Sequence, residues 1–130
     1  VSEWVAGVVV GLLSAALIAM LPRGHRGTSL ATGLGVAAGI YVGFGLQDGL
    51  PKHAITELLL GLPFIAAAIR WPHAVRVLAI AWIAHGLVDA FHLLGVFTTR
   101  VPSWYPGACF GVDVALGLAG LYWARSSSAA

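Results

Sequence analysis

Charge is scarce in this chain. Asp, Glu, Lys and Arg together make up 9% of 130 residues, against 59% apolar side chains. A soluble domain carries about a quarter of its residues as charges, so that class is excluded. The cations are few and stand singly at the ends of apolar stretches. They form no basic patch, and a nucleic-acid partner is not expected. The lone cysteine, Cys109, excludes an internal disulfide. Short segments of alternating polarity are missing as well, which argues against a membrane β-barrel. The opening VSEWVAG carries Glu3 and no cationic n-region, so the first apolar stretch reads as a retained span rather than a cleaved leader. No serine sits in a G-x-S-x-G setting, and a Ser/His/Asp nucleophile is not expected. The glycines of GLGVAAG fall inside an apolar stretch, where they read as helix contacts and not as a phosphate cradle.

What remains is a hydrophobic chain, with mean hydropathy +0.91. Its apolar residues fall into five blocks, at about 2–21, 28–46, 53–69, 74–97 and 107–124, each near the length that crosses about 30 Å of hydrocarbon as a helix. The sequence therefore predicts a single all-α domain over 1–130, an integral membrane bundle of five transmembrane helices. With five crossings, Arg23, Arg26, Arg70, Arg76 and Arg125 share one side and Lys52 and Arg100 the other. The positive-inside rule then puts the N-terminus outside and the C-terminus in the cytoplasm, most simply in a bacterial inner membrane. In block two, Thr28, Thr32, Gly35, Gly39 and Gly43 form a small-residue stripe that predicts close helix packing. The Gly and Ala stripes of blocks one and two also offer a surface for a second copy or another partner.

Against this background AHGLVDAFHLLG, residues 84–95, stands out. At 100° per residue Asp89 lies about 40° from His85 and His92 about 20° on its other side, so the three share one face. At 1.5 Å per residue His92, Asp89 and His85 lie about 7, 12 and 18 Å below the outer end, with Glu57 about 6 Å and Asp113 about 9 Å deep on neighbouring blocks. Ionisable groups are costly in hydrocarbon, so these are expected to face one another or a wet cavity and to mark function. His25, His53 and His73 lie in turns and are expected to be solvated there.

The pattern H-x3-D-x2-H (His85, Asp89, His92), followed by P-x2-C-x3-D (Pro106, Cys109, Asp113), resembles a family of small bacterial integral membrane proteins catalogued only as a domain of unknown function. The resemblance covers the last fifty residues and, more loosely, the LPRGHR turn. It implies a shared site at these residues and no particular chemistry.

The residues themselves suggest an intramembrane enzyme that performs acid–base chemistry on a lipophilic small molecule, such as isomerisation, cyclisation or hydration of an isoprenoid or polyketide. Asp89, His85, His92, Asp113 and Glu57 would donate, relay and accept the proton. Trp82, Phe91, Trp104 and Cys109 would contact substrate, the ring faces stabilising a developing cation. No cofactor is required. An alternative is a divalent transition metal, zinc, iron, nickel or copper, held by members of the set His85, Asp89, His92 and Asp113. One ion cannot easily take both histidines, which stand about 10.5 Å apart along the helix axis. A second alternative is an accessory subunit or ion pathway in a larger membrane complex.

Overall fold

The turns dictate where the helices begin and end. In the computed structural model, which describes residues 2–128, α1 spans Glu3–Ala19 and the chain reverses over Met20–Pro22. Helix α2, Arg23–Gln47, starts directly after Pro22, earlier than the block boundary at residue 28. The fixed φ of proline suits the residue just ahead of a helix, and His25 N–H already reaches the Pro22 carbonyl at 2.9 Å. Much of what reads as a polar turn is thus the first turn of α2. Helix α3, Pro51–Arg70, begins with proline at its first position and is 20 residues long, longer than the 53–69 block and enough to cross about 30 Å of hydrocarbon.

Helix α4, Val75–Leu93, ends before the expected residue 97. Gly95 adopts φ 71°, its N–H bonds to the His92 carbonyl, and the Val96 N–H bonds to the Phe91 carbonyl, both at 3.0 Å. This pair of bonds is the Schellman arrangement, which glycine makes accessible and which stops a helix whatever the hydrophobicity beyond it. Helix α5 covers Tyr105–Ser128 and so continues past the expected end at residue 124 into the SSSAA segment, whose last two residues lie outside those described.

Among the described residues all five elements are helices, and α2, α3, α4 and α5 are long and apolar enough to cross a membrane; α1, at 17 residues, is shorter. Helix α5 lies between α1 and α4, α2 pairs with α3, and both α2 and α3 contact α4. The helices alternate in direction. One end of the bundle gathers the start of α1, the α2–α3 turn and the α4–α5 loop; the other gathers the α1–α2 and α3–α4 turns.

Polarity is inverted relative to a water-soluble fold. Leu17, Leu46 and Ile69 are 67%, 68% and 76% exposed, whereas Asp89, Glu57 and Asp113 are 0%, 1% and 1% exposed. Such a surface is stable against hydrocarbon, not water. The interior divides along its length. Leu30, Leu34, Leu78, Trp82, Leu116 and Trp123 form an apolar core toward the α1–α2 end, and the buried acids and imidazoles occupy the other half.

The small-residue stripe of α2 does not pack as expected. Nothing lies within 4 Å of where side chains on Gly35, Gly39 and Gly43 would project, and Thr28 and Thr32 are exposed. The buried face runs through Gly27, Leu30, Ala31, Leu34, Ala38, Tyr41 and Gly45. Helix α2 is apolar or small on all sides, so periodicity could not choose its inner face; contact with the larger side chains did.

A candidate acid–imidazole centre

Helix α4 is the hub of the buried polar half. His85, Asp89 and His92, spaced i, i+4 and i+7, are all buried on one face. Each finds a partner on a different helix. His85 Nδ1 lies 2.6 Å from Asp113 Oδ2 of α5 and 3.8 Å from Asp89 Oδ2. Gly86 makes room for this meeting, because a Cβ there would stand 3.2 Å from Asp113 Cβ. The Tyr41 hydroxyl of α2 donates to Asp89 Oδ1 at 2.7 Å. His92 Nε2 lies 3.0 Å from Glu57 Oε1 of α3, and Tyr41 stacks on the His92 ring with centroids 4.2 Å apart.

The His92 bonds limit where protons sit. Its Nδ1 lies 2.9 Å from the Val88 carbonyl, which can only accept, so Nδ1 carries a hydrogen. The Glu57–His92 bond then holds one proton, on either the carboxyl or Nε2. In the same way one proton lies between His85 Nδ1 and Asp113. Glu57 Oε2 and Asp89 Oδ2 are buried with no hydrogen-bond partner. Buried polar atoms are rarely left so, and orphans of this kind mark sites that expect a ligand, water or ion.

Tyr41, Glu57 and His85 line one cavity of about 10 Å³ with Ala38, Leu60 and Phe64. That is close to the smallest space that holds a single water. Phe64 sets its ring edge against His85 at 4.9 Å.

The five expected acid–base residues are therefore brought together, but the aromatic ones are not. Trp82 belongs to the apolar core and donates Nε1–H to the Leu30 carbonyl at 3.0 Å. Phe91 is 48% exposed and meets Phe97 edge-on. Trp104, 55% exposed, and Cys109 line a separate groove of about 500 Å³ between α1 and α5. None of these four lines the cavity. The four-residue metal set also separates. His85, Asp89 and Asp113 each offer an atom within 4.8 Å of the others, while His92 turns to Glu57, one helical turn away. Tyr41 escaped the sequence reading. Its signal was a lone phenol in block two, whose other polar side chains, Thr28, Ser29 and Thr32, all stand at the opposite end.

A second polar cluster closes the same end of the bundle, built on the α2–α3 turn, the first turn of α3 and the α4–α5 loop. His53, expected to be solvated, is 7% exposed. Its Nδ1 is paired with Asp48 Oδ2, and Thr98 Oγ1 lies 3.0 Å from its Nε2. Asp48 Oδ2 also accepts the Arg100 backbone N–H at 3.2 Å, and the Arg100 side chain approaches Oδ1 at 3.6 Å. These contacts tie the α4–α5 loop to the α2–α3 turn. Phe97 of that loop packs on the His92 ring, centroids 4.7 Å apart, and so covers the buried network from above.

Burial works to raise the Asp48 pKa. The His53 hydrogen bond, the Arg100 amide and the charges of both residues outweigh it and hold the carboxyl below its usual value. A depressed folded-state pKa stabilises the tie fully above the unfolded carboxylate pKa of about 3.9 and is lost as pH falls through the lower folded value. Hydrogen exchange of residues 95–103, corrected for intrinsic rates, should therefore stay slow from pH 7 to 5 and accelerate below about pH 4. Acceleration already complete at pH 5 would mean that Asp48 does not hold the loop.

Fold and site together define an all-helical protein with four helices able to span a membrane and an acid–imidazole network buried between them. No protein-family model, curated protein or solved structure matches the chain.

Proposed function

We propose that this protein is an intramembrane enzyme that moves a proton within a lipophilic small molecule, an isomerase, cyclase or hydratase of isoprenoid- or polyketide-like substrates. The reading includes all five helices as spans of a bacterial inner membrane, with the N-terminus outside. The five arginines Arg23, Arg26, Arg70, Arg76 and Arg125 then lie on the cytoplasmic side. One observation carries the enzymatic proposal: His85, Tyr41 and Glu57 line a single cavity, and Glu57 Oε2 is unpaired.

In this mechanism Asp113 holds His85 through Nδ1, leaving Nε2 to take or give a proton, as a carboxylate orients a catalytic imidazole elsewhere. Glu57 is anchored by His92 through Oε1 and exchanges its proton through Oε2. One group removes a proton from the substrate and the other returns one at a different atom, a net proton shift for an isomerase or cyclase. In a hydratase one group protonates the substrate and the other takes a proton from the water that adds, and none of these changes the oxidation state overall. Tyr41 keeps the Asp89 carboxyl hydrogen-bonded beside His85. The cavity fits only a water, so a substrate requires α3 to part from α4. Pro63 inside α3 cannot donate to the Leu59 carbonyl, leaving that helix one hydrogen bond short near the seam.

The test does not require the substrate to be known. Protein in detergent, incubated in D2O with a total lipid extract, should place deuterium in a discrete set of lipids detected by mass spectrometry. His85→Ala and Glu57→Gln should each reduce uptake by about 10²-fold or more. No uptake with wild type, or equal uptake with both variants, removes the proposal.

A second reading is favoured by the close grouping of His85, Asp89 and Asp113 and by the unpaired Asp89 Oδ2. One imidazole and two carboxylates suit a divalent transition metal acting as a Lewis acid. Elemental analysis separates the two: one equivalent of metal, lost in Asp89→Asn, supports the second reading, and metal-free active protein supports the first.

A further inference from the structure

From the cluster at the end of the spans we propose a second, independent reactive centre, in which Thr98 is an acyl-accepting nucleophile, His53 its base and Asp48 the carboxylate that orients the base. It does not rest on the acid–base reading of the buried network. The signature of an activated nucleophile is a hydroxyl within hydrogen-bond reach of an imidazole that a third group holds in place. All three parts are present. An ionised Asp48 can only accept from His53, so Nδ1 carries the hydrogen, and in the neutral imidazole Nε2 is then the acceptor facing the Thr98 hydroxyl, 3.0 Å away.

The burial gradient matches that arrangement. The Asp48 and His53 side chains are 3% and 8% exposed, whereas Thr98 lies open at the surface. Asp48 is itself fixed by the Arg100 amide. The Arg100 side chain, 90% exposed, also approaches Asp48 Oδ1 at 3.6 Å and adds to its orientation. A tie that served only to hold a loop would not need the imidazole to be oriented by a carboxylate on one nitrogen and to accept from an accessible hydroxyl on the other.

Position defines the substrate class. Thr98 lies at the level where the spans end. Leu94 and Val96, on the same loop, are 76% and 59% exposed, and an apolar groove of about 310 Å³ lined by Leu46, Leu50, Pro51 and Ile55 flanks the turn that carries Asp48. An ester with a long apolar chain, seated at the membrane surface, fits this surrounding.

In the reaction Thr98 Oγ1 bonds to the ester carbonyl carbon and its proton passes to His53 Nε2. The bond to the leaving alcohol then breaks, and that alcohol receives the proton. Water hydrolyses the Thr98 ester by the same route and releases the acid.

An alkyl fluorophosphonate tests the proposal, since attack by Oγ1 forms the O–P bond and expels fluoride with the hydroxyl proton. Wild-type protein should be labelled at Thr98, as located by peptide mass spectrometry. Thr98→Ser should retain labelling, Thr98→Val and His53→Ala should lose it, and Asp48→Asn should slow it by about 10²-fold or more. Thr98→Val keeps the shape of the side chain and so remains decisive if His53→Ala does not fold. Unlabelled wild type beside a labelled serine-hydrolase control, or labelling that survives in Thr98→Val, overturns the proposal.

Discussion

Asp113→Ala is expected to destabilise the protein by roughly 3 to 5 kcal/mol, the usual result of removing one member of a buried hydrogen-bonded acid–base pair. The 2.6 Å bond to His85 Nδ1 disappears. The imidazole is left beside Asp89, whose nearer oxygen is 3.8 Å away, too far for a hydrogen bond. Water cannot repair the loss easily, because Asp113 is 1% exposed and the cavity beside His85 holds about one molecule. Asp113→Asn keeps the shape and an acceptor oxygen. It should preserve most of the stability while slowing proton transfer by roughly 10²- to 10⁴-fold, since a neutral amide neither steadies an imidazolium nor fixes the same tautomer. Thermal unfolding in detergent and deuterium uptake read the two effects separately. Asp113→Ala within 1 kcal/mol of wild type would mean that Asp113 does not hold His85.

Valine at Gly111 should have the other large effect, and it should be purely structural. A side chain there would run into the Trp4 carbonyl, and its Cβ would stand 2.6 Å from the Val8 amide nitrogen and 2.9 Å from the Gly7 carbonyl carbon. These are backbone atoms that no rotamer change can move aside, so α1 must leave α5. The cost should exceed the ~1–3 kcal/mol of ordinary overpacking, with a large loss of folded protein on size-exclusion chromatography. The buried network is built on α2, α3, α4 and α5, so the molecules that do fold should keep wild-type deuterium uptake. Normal yield from Gly111→Val would show that α1 does not pack on α5 in the membrane.

The two variants separate what Gly111 and Asp113 do although they lie two residues apart. They face different neighbours, Gly111 toward α1 and Asp113 toward α4. That division was partly legible in the residues. The i, i+4, i+7 spacing of His85, Asp89 and His92 put them on one helix face before any neighbour was known, and the cost of bare charge in hydrocarbon required that face to point inward. Their partners were harder to read. Spacing along α4 suggested that His85 and His92 belong to one site, yet His85 turns to Asp113 and His92 to Glu57. The aromatic residues misled for a related reason. Trp82 lies on the same stripe as His85, but one turn toward the apolar end its surroundings change from acids to leucines, and the indole found a backbone carbonyl there instead. His53 shows the reverse error. A histidine in a turn is usually wet, and only the return of the α4–α5 loop buries this one against Asp48 and Thr98.

The sequence by itself determined the helical class, the extent of the apolar blocks to within a few residues, and the burial of the acids. Each of these follows from local chemistry: backbone polar groups must be satisfied within a segment in hydrocarbon, and charge must avoid lipid. Tertiary structure alone decided that α1 packs on α5, that α2 turns Tyr41 inward and its glycine stripe outward, and which carboxyl meets which imidazole. Those choices depend on contacts between residues far apart in the chain, from Trp82 with Leu30, 52 positions away, to Gly111 against Trp4 near the opposite end, and no periodicity along one helix contains the identity of its neighbour.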